Sequence, residues 1–202
     1  MNKRSMTANI KNQKLLYHLT DADNFESIVS NGLQSRKSCR NISFKDVADQ
    51  EIISFREEAG LDEYVPFHFF AQNPFDGRVQ KKYPDSEFIY ISIRRDLAQH
   101  YNFQIIPQHP LSMDPFKMYD YNEGMDIIDW NAMNSRDYHD PYIKNVCMAE
   151  CVGKYIIPAK TFHCVWVRTN KSKSYVTDVL IKHNIDNVYV NHNPSMFVKR
   201  GV

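Results

Sequence analysis

Glu150 is the lone acid in the apolar run Val146-Cys-Met-Ala-Glu-Cys-Val-Gly153, which reads as a strand. A carboxylate projecting from a strand edge can hold a ribose hydroxyl while the bond at the anomeric carbon breaks. A second short segment, Leu16-Tyr-His-Leu-Thr20, lies near the other end of the chain. On a strand, parity puts Leu16, His18 and Thr20 on one face, so an imidazole and a hydroxyl would project together. A carboxylate on one strand facing a His/Thr pair on another is the combination the rest of the chain has to position.

The elements that could do so are legible in outline. Residues 15–19 read as a first strand, and Asp21-Ala-Asp-Asn24 supplies N-cap chemistry for a short helix. Phe25, Ile28, Val29 and Leu33 fall at helical spacing, and Asn31-Gly32 closes that helix. Residues 34–45 read as loop and 47–58 as a helix, with Val47, Ile52, Ile53 and Phe55 toward the core. Tyr64-Val-Pro-Phe-His-Phe-Phe70 is aromatic and β-prone, and Asn73-Pro-Phe-Asp-Gly77 is turn chemistry. Residues 88–93 make the clearest strand, 96–100 a helical stretch and 101–106 a further strand. Residues 107–127 read as irregular, 128–138 as helical and 137–145 as a polar loop running directly into the Glu150 strand. Strands at 160–168 and 188–190 flank a helix at 175–183. This order predicts one α+β domain over residues 1–202 with a mostly antiparallel sheet, and residues 1–13 loose.

Composition narrows the class. The chain has 202 residues, 43% hydrophobic and 24% charged, which is ordinary globular composition with enough length for a substantial core. A net charge of +1 excludes a global basic field. Local basic clusters occur at Lys3, Arg4, Lys11 and Lys14, at Arg78, Lys81 and Lys82, and at Arg94-Arg95; each taken alone reads as solvated surface. The four cysteines, Cys39, Cys147, Cys151 and Cys164, have neither metal-site nor disulfide spacing. No apolar run is long enough to span a bilayer, and no signal core follows the basic N-terminus. A reduced, cytoplasmic setting without metal or membrane is the expectation. No Gly-x-Gly-x-x-Gly fingerprint occurs, so a dinucleotide would need a device other than the Rossmann phosphate cradle.

Taken in order, several separated segments resemble the DarT-type DNA ADP-ribosyltransferases, the toxin halves of bacterial toxin–antitoxin pairs. Tyr17-His-Leu-Thr20 with Asn24, Ile28 and Asn31-Gly32-Leu33 is similar to the family's opening nucleotide-binding element. Asp46-Val-Ala-Asp-Gln-Glu-Ile-Ile-Ser-Phe-Arg56 resembles a helix that ends in a functional arginine, with Phe55 where the family often has a second basic residue. Tyr64-Val-Pro-Phe-His-Phe69 and Asn73-Pro74 resemble a strand and its turn, and Ile128-Asp-Trp130 with Met133 the segment leading to the substrate loop. Ala149-Glu150 matches the catalytic Ala-Glu step, and His109 lies where the family often carries a histidine.

The resemblance implies an ADP-ribosyltransferase-like fold and NAD as co-substrate. The acceptor would be a thymidine or guanosine base of single-stranded DNA, and the partner a DarG-like macrodomain antitoxin that removes the mark. Glu150 and Arg56 would be catalytic. His18, Thr20, Asn24, Gly32, Phe67 and Phe69 would bind NAD, and Asn73, Tyr138, Tyr142 and Lys144 the DNA. Phage defence would be the biological setting. Two rivals stay open: a transferase with RNA or protein as acceptor, and a non-catalytic module that binds NAD or nucleic acid.

Overall fold

The computed structural model describes residues 9–41, 45 and 50–199. The described strands are β1 (Leu15–Asp21), β2 (Val65–His68), β3 (Phe88–Arg94), β4 (Gln104–Ile106), β5 (Tyr119–Asp120), β6 (Glu150–Gly153), β7 (Cys164–Val167) and β8 (Tyr189–His192). The described helices are α1 (Phe25–Asn31), α2 (Gln50–Glu58), α3 (Pro74–Lys82), α4 (Arg95–His100), α5 (Tyr121–Ile127), α6 (Trp130–Ser135), α7 (Pro141–Val146) and α8 (Asn170–Lys182). The strands form one sheet in the order β5-β4-β6-β2-β1-β3-β7-β8. The β7–β8 pair is parallel and the other pairs are antiparallel.

The strand register decides where a ligand can enter. β1 pairs with β3 along its whole length, from Leu15↔Arg94 to Asp21↔Phe88. On its other side it meets β2 at the single position Tyr17↔His68. The two strands therefore part company just beyond Tyr17, and the sheet opens into two wings with a cleft between them. One buried core spans both wings. Ile89, Ile91 and Ile93 of β3 are fully buried in the main core with Leu16, Phe25, Phe67 and Cys151. Each such isoleucine contributes roughly 1.5–3 kcal/mol by leaving water. The opposite face of β3 buries Phe88 and Tyr90 against Val79 and Phe197, so this strand is apolar on both sides. A smaller cluster of Leu61, Ile106 and Val152, with Phe55, lies under α2.

Several expectations are corrected. β6 is an internal strand between β4 and β2, not an edge, and it begins at Glu150. The residues before it are α7 and a tight turn, with Asp140 capping the helix through its side chain. The segment expected to be only a turn at 73–77 opens α3, because Asn73 caps it and Pro74 occupies its first position. Part of the irregular stretch 107–127 is α5. Residues 9–13 are docked rather than loose: Ile10 is buried, and its N–H donates to Asn134 Oδ1 at 2.8 Å. Arg95 is not surface. It is buried, donates to the carbonyls of Leu15, Lys11 and Phe69, and stacks on the Phe69 and Trp130 rings. Val47, expected in the core, and the stretch 46–49 of the arginine helix lie outside the described residues. None of the described helices is long and apolar enough to cross a membrane.

Candidate active site

Glu150 opens β6 opposite His68 of β2 and Ile106 of β4, so the three side chains share one face of the sheet. α2 lies over that face and delivers Arg56 from its last turn. Arg56 Nη1 donates to both Glu150 oxygens, at 3.0 and 2.9 Å. Glu150 is 6% exposed and Arg56 8%, so this is a charge pair largely removed from water. The Arg56 Nη2 is buried and has no hydrogen-bond partner among the described residues. An orphaned guanidinium nitrogen beside a cavity is a donor waiting for an acceptor that a ligand would bring.

Two adjoining cavities meet at this pair. The larger follows the opening between β1 and β2 and is lined by His18, Thr20, Asn24, Gly32, Lys45 and Arg56, among others. The smaller holds Glu150 with Phe55, His68 and His109. Arg36, Arg56, Pro66 and Phe75 line both, so the two form one continuous cleft with the ion pair at the junction.

The His18 imidazole is held by a hydrogen bond of 2.8 Å between Nδ1 and the Pro66 carbonyl. A carbonyl only accepts, so the proton is on Nδ1 and Nε2 is left as an acceptor. Burial, reinforced by His68 and Arg56, pushes this imidazole down to about 4 against the pull of that carbonyl, and it stays neutral near pH 7. Asn24 Nδ2 donates to Thr20 Oγ1 at 3.2 Å, which leaves the Thr20 hydroxyl proton to donate elsewhere. The same amide closes on Lys45, donating to its carbonyl at 3.1 Å and accepting from its N–H at 2.7 Å. Lys45 Nζ then sits 2.7 Å from Asp21. Gly32 has φ +80° as the C-cap of α1, and a Cβ there would lie 2.5 Å from Ile156 Cγ2. Only glycine allows that turn and that approach together.

The cleft suits a dinucleotide. Its larger cavity places the cations Arg36, Lys45 and Arg56 beside a hydroxyl, an imidazole acceptor and the Tyr64 and Phe75 rings. Charges suited to a pyrophosphate, polar groups suited to ribose hydroxyls and flat apolar surface are therefore all present.

Several residues expected at the site lie elsewhere or are otherwise engaged. Phe67 and Phe69 are 0% and 1% exposed, locked in the main core, and line neither part of the cleft. Phe67 alternates with His68 and so faces away from Glu150. Asn73 is fully buried and committed to the α3 cap, with Oδ1 accepting from the Asp76 N–H and Nδ2 donating to Asp76 Oδ2. Tyr142 and Lys144 are exposed on α7, outside the cleft, and the Tyr142 hydroxyl donates to Asp129 Oδ2 at 3.1 Å. Tyr138 is exposed and lines a separate groove beside α3.

Conversely, Arg36, His68 and His109 stand beside the ion pair without having been assigned to it. His109 carried a weak signal, its place in the Gln-His-Pro step. Arg36 carried none, because it reaches the cleft from an irregular segment. Burial lowers the His109 imidazole, opposed by the charge of Glu150 and helped by Arg78.

A family model described as ssDNA thymidine ADP-ribosyltransferase, DarT, matches residues 17–198. The chain belongs to the DarT family. Its fold is that of DarT from Thermus sp. 2.9 in complex with ADP-ribosylated ssDNA: the TM-score is 0.78 at 16% identity, covering 92% of this chain and 96% of that one. The same Thermus DarT in complex with NAD+ superposes with a TM-score of 0.72 at 16% identity, covering 93% of this chain and 98% of that one. Thermosipho africanus DarTG in complex with ADP-ribose matches with a TM-score of 0.72 at 20% identity, over 92% of this chain and 51% of that one. No curated relative matches at the sequence level. DarT membership makes this chain an NAD-dependent ADP-ribosyltransferase of single-stranded DNA, and the family description names thymidine, one of the two expected acceptors.

Proposed function

We propose that the β1–β2 cleft binds NAD and that the Arg56–Glu150 pair at its inner end transfers the ADP-ribose to a thymine of single-stranded DNA. The observation that carries this is the unpartnered Arg56 Nη2 beside a carboxylate, at the junction of the two cavities. His18 and Thr20 orient the dinucleotide by accepting from and donating to its ribose and amide groups. Lys45 and Arg36 line that cavity and would neutralise the pyrophosphate. Arg56 holds Glu150 in place and presents its second nitrogen to the substrate.

Glu150 accepts a hydrogen bond from the 2′-hydroxyl of the nicotinamide ribose. As the glycosidic C–N bond breaks, its electron pair leaves with neutral nicotinamide and positive charge develops at the anomeric carbon. The bond to Glu150 strengthens as that charge appears, so the carboxylate stabilises the transition state more than the ground state. A thymine ring nitrogen then bonds to the anomeric carbon, and its proton passes to Glu150 or to water. The Arg56 guanidinium is suited to stabilise the base as that proton leaves.

The Thermosipho relative bears the name DarTG and is about twice as long as the part matched, which supports a DarG-like macrodomain partner for this chain. Modification of template bases would make the chain toxic to its own cell and useful against phage. Mass spectrometry of oligonucleotides that carry one thymidine or none, incubated with protein and NAD, tests the acceptor. A gain of one ADP-ribose confined to the thymidine-containing strand is expected. A gain on a guanosine-only strand, or nicotinamide release without any DNA product, would sink the thymine assignment.

A further inference from the structure

A second groove lies on the flank of α3 away from the NAD cleft. Its walls are α3 and the C-terminal segment 194–199, and its lining includes Arg78, Lys81, Lys199, Tyr138 and Pro194. No acid is among the described residues that line it. In a chain whose net charge is only +1, three cations facing one open groove make a local field that the composition hides.

The groove is built, not accidental. Gln72 takes a positive φ of 58° and its Nε2 donates to the carbonyls of Ser195 and Phe197, at 2.6 and 2.8 Å. The Val198 N–H donates to Gln80 Oε1 at 3.2 Å. Phe197 is buried against the Tyr90 ring, 5.2 Å away. The terminal segment is therefore fixed against α3 as far as Val198. On the far side, Arg136 stacks over Phe70 at 4.6 Å and Tyr138 stands exposed beside it. The groove and the catalytic cleft are joined through α3, where Phe75 lines both parts of the cleft and Arg78 lines the groove.

We infer that this groove carries the single-stranded DNA flanking the acceptor base, with Lys81, Lys199 and Arg78 on its phosphates and Tyr138 stacked on a base. The inference rests on the acceptor assigned above. Phosphate contacts position a strand without reading it, and an aromatic ring stacks on any base, so the groove supplies affinity and direction but not sequence choice. α3 serves both sites: Phe75 faces the NAD cleft while Arg78 and Lys81 face the strand.

The test is the affinity of the whole protein for fluorescent oligonucleotides, read by anisotropy alongside transfer. Lys81→Glu/Lys199→Glu should weaken a strand of about 12 nucleotides by tenfold or more and a strand of about 4 far less. It should also reduce the log–log salt slope by about 1.4. Lys81→Arg/Lys199→Arg should bind as the wild type does, and NAD affinity in both variants serves as the check on folding. Tyr138→Ala should cost about fivefold, and Tyr138→Phe little. Unchanged DNA affinity and salt slope in the Glu double variant overturn the groove. So does charge-dependent binding of RNA of the same sequence without any for DNA. Transfer by the wild type with those values unchanged sinks the groove alone. Charge-dependent DNA binding with no transfer by the wild type sinks the acceptor assignment and leaves the groove standing.

Discussion

Arg56 and Glu150 hold each other in a nearly dry site, and each depends on the other for stability. Removing one partner of a buried pair leaves the other charge uncompensated, so Arg56→Ala should cost about 3 kcal/mol in urea unfolding. Adding Glu150→Gln to that variant should recover most of the loss; a double variant no more stable than Arg56→Ala would contradict the coupling. Asp76 makes a separate prediction. Burial pushes its carboxyl up to about 6, opposed by His68 and by hydrogen bonds from Tyr90 and Asn73. Its folded-state value is above the unfolded one, so the native protein binds that proton more tightly. Stability from this group is therefore greatest below about pH 4 and falls as pH rises toward 6. His18, lowered instead to about 4, acts with the opposite sign, losing stability as pH falls from about 6.5. The difference between Asp76→Asn and wild type separates the two. That difference should grow in favour of the variant between about pH 4 and 6, by on the order of 2 kcal/mol. A flat difference across this window would refute it.

Among elements, the turn after α1 does the most for the cleft. Gly32 allows the chain to reverse while Leu33 and Ile157 exchange backbone hydrogen bonds of 2.9 and 3.0 Å. Gly32→Ala should cost about 2 kcal/mol, from the positive φ and from the clash with Ile156, and should weaken NAD binding by displacing the cavity wall. Calorimetry on the variant checks both; an unaltered melting temperature would show that the backbone relaxes freely there. This turn was legible in the sequence, because Asn-Gly after a helical stripe has a local cause. So were β1, β3 and the two His/Thr and Ala-Glu steps. α3 was hidden because Asn-Pro-x-Asp-Gly satisfies a turn and a helix N-terminus equally, and the rest of that helix is too polar to show a stripe. α7 was hidden for the related reason that Pro141 opens a helix only when Asp140 caps it. Arg95 looked like surface because burial of an arginine depends on distant carbonyls that no local window contains.

At the scale of the molecule, function comes from a sheet that divides. β1 and β2 touch at one register position, and the chain beyond it lines the cleft proposed for NAD instead of completing a ladder. The sequence named many of the residues on that cleft, since polar side chains next to an apolar strand stand out. It misplaced Phe67 and Phe69, because parity shows which residues share a face but not which face is core. It also took β6 for an edge, since strand order is set by tertiary pairing. In the proposed mechanism one carboxylate, held by one guanidinium, carries the transfer. The most direct measurement is the single-turnover rate of ADP-ribose transfer to a thymidine-containing oligonucleotide by Glu150→Gln, with NAD affinity measured on the same protein. A rate lowered about 10²- to 10³-fold with NAD affinity within a few-fold of wild type is the predicted result. Transfer at the wild-type rate would contradict the account.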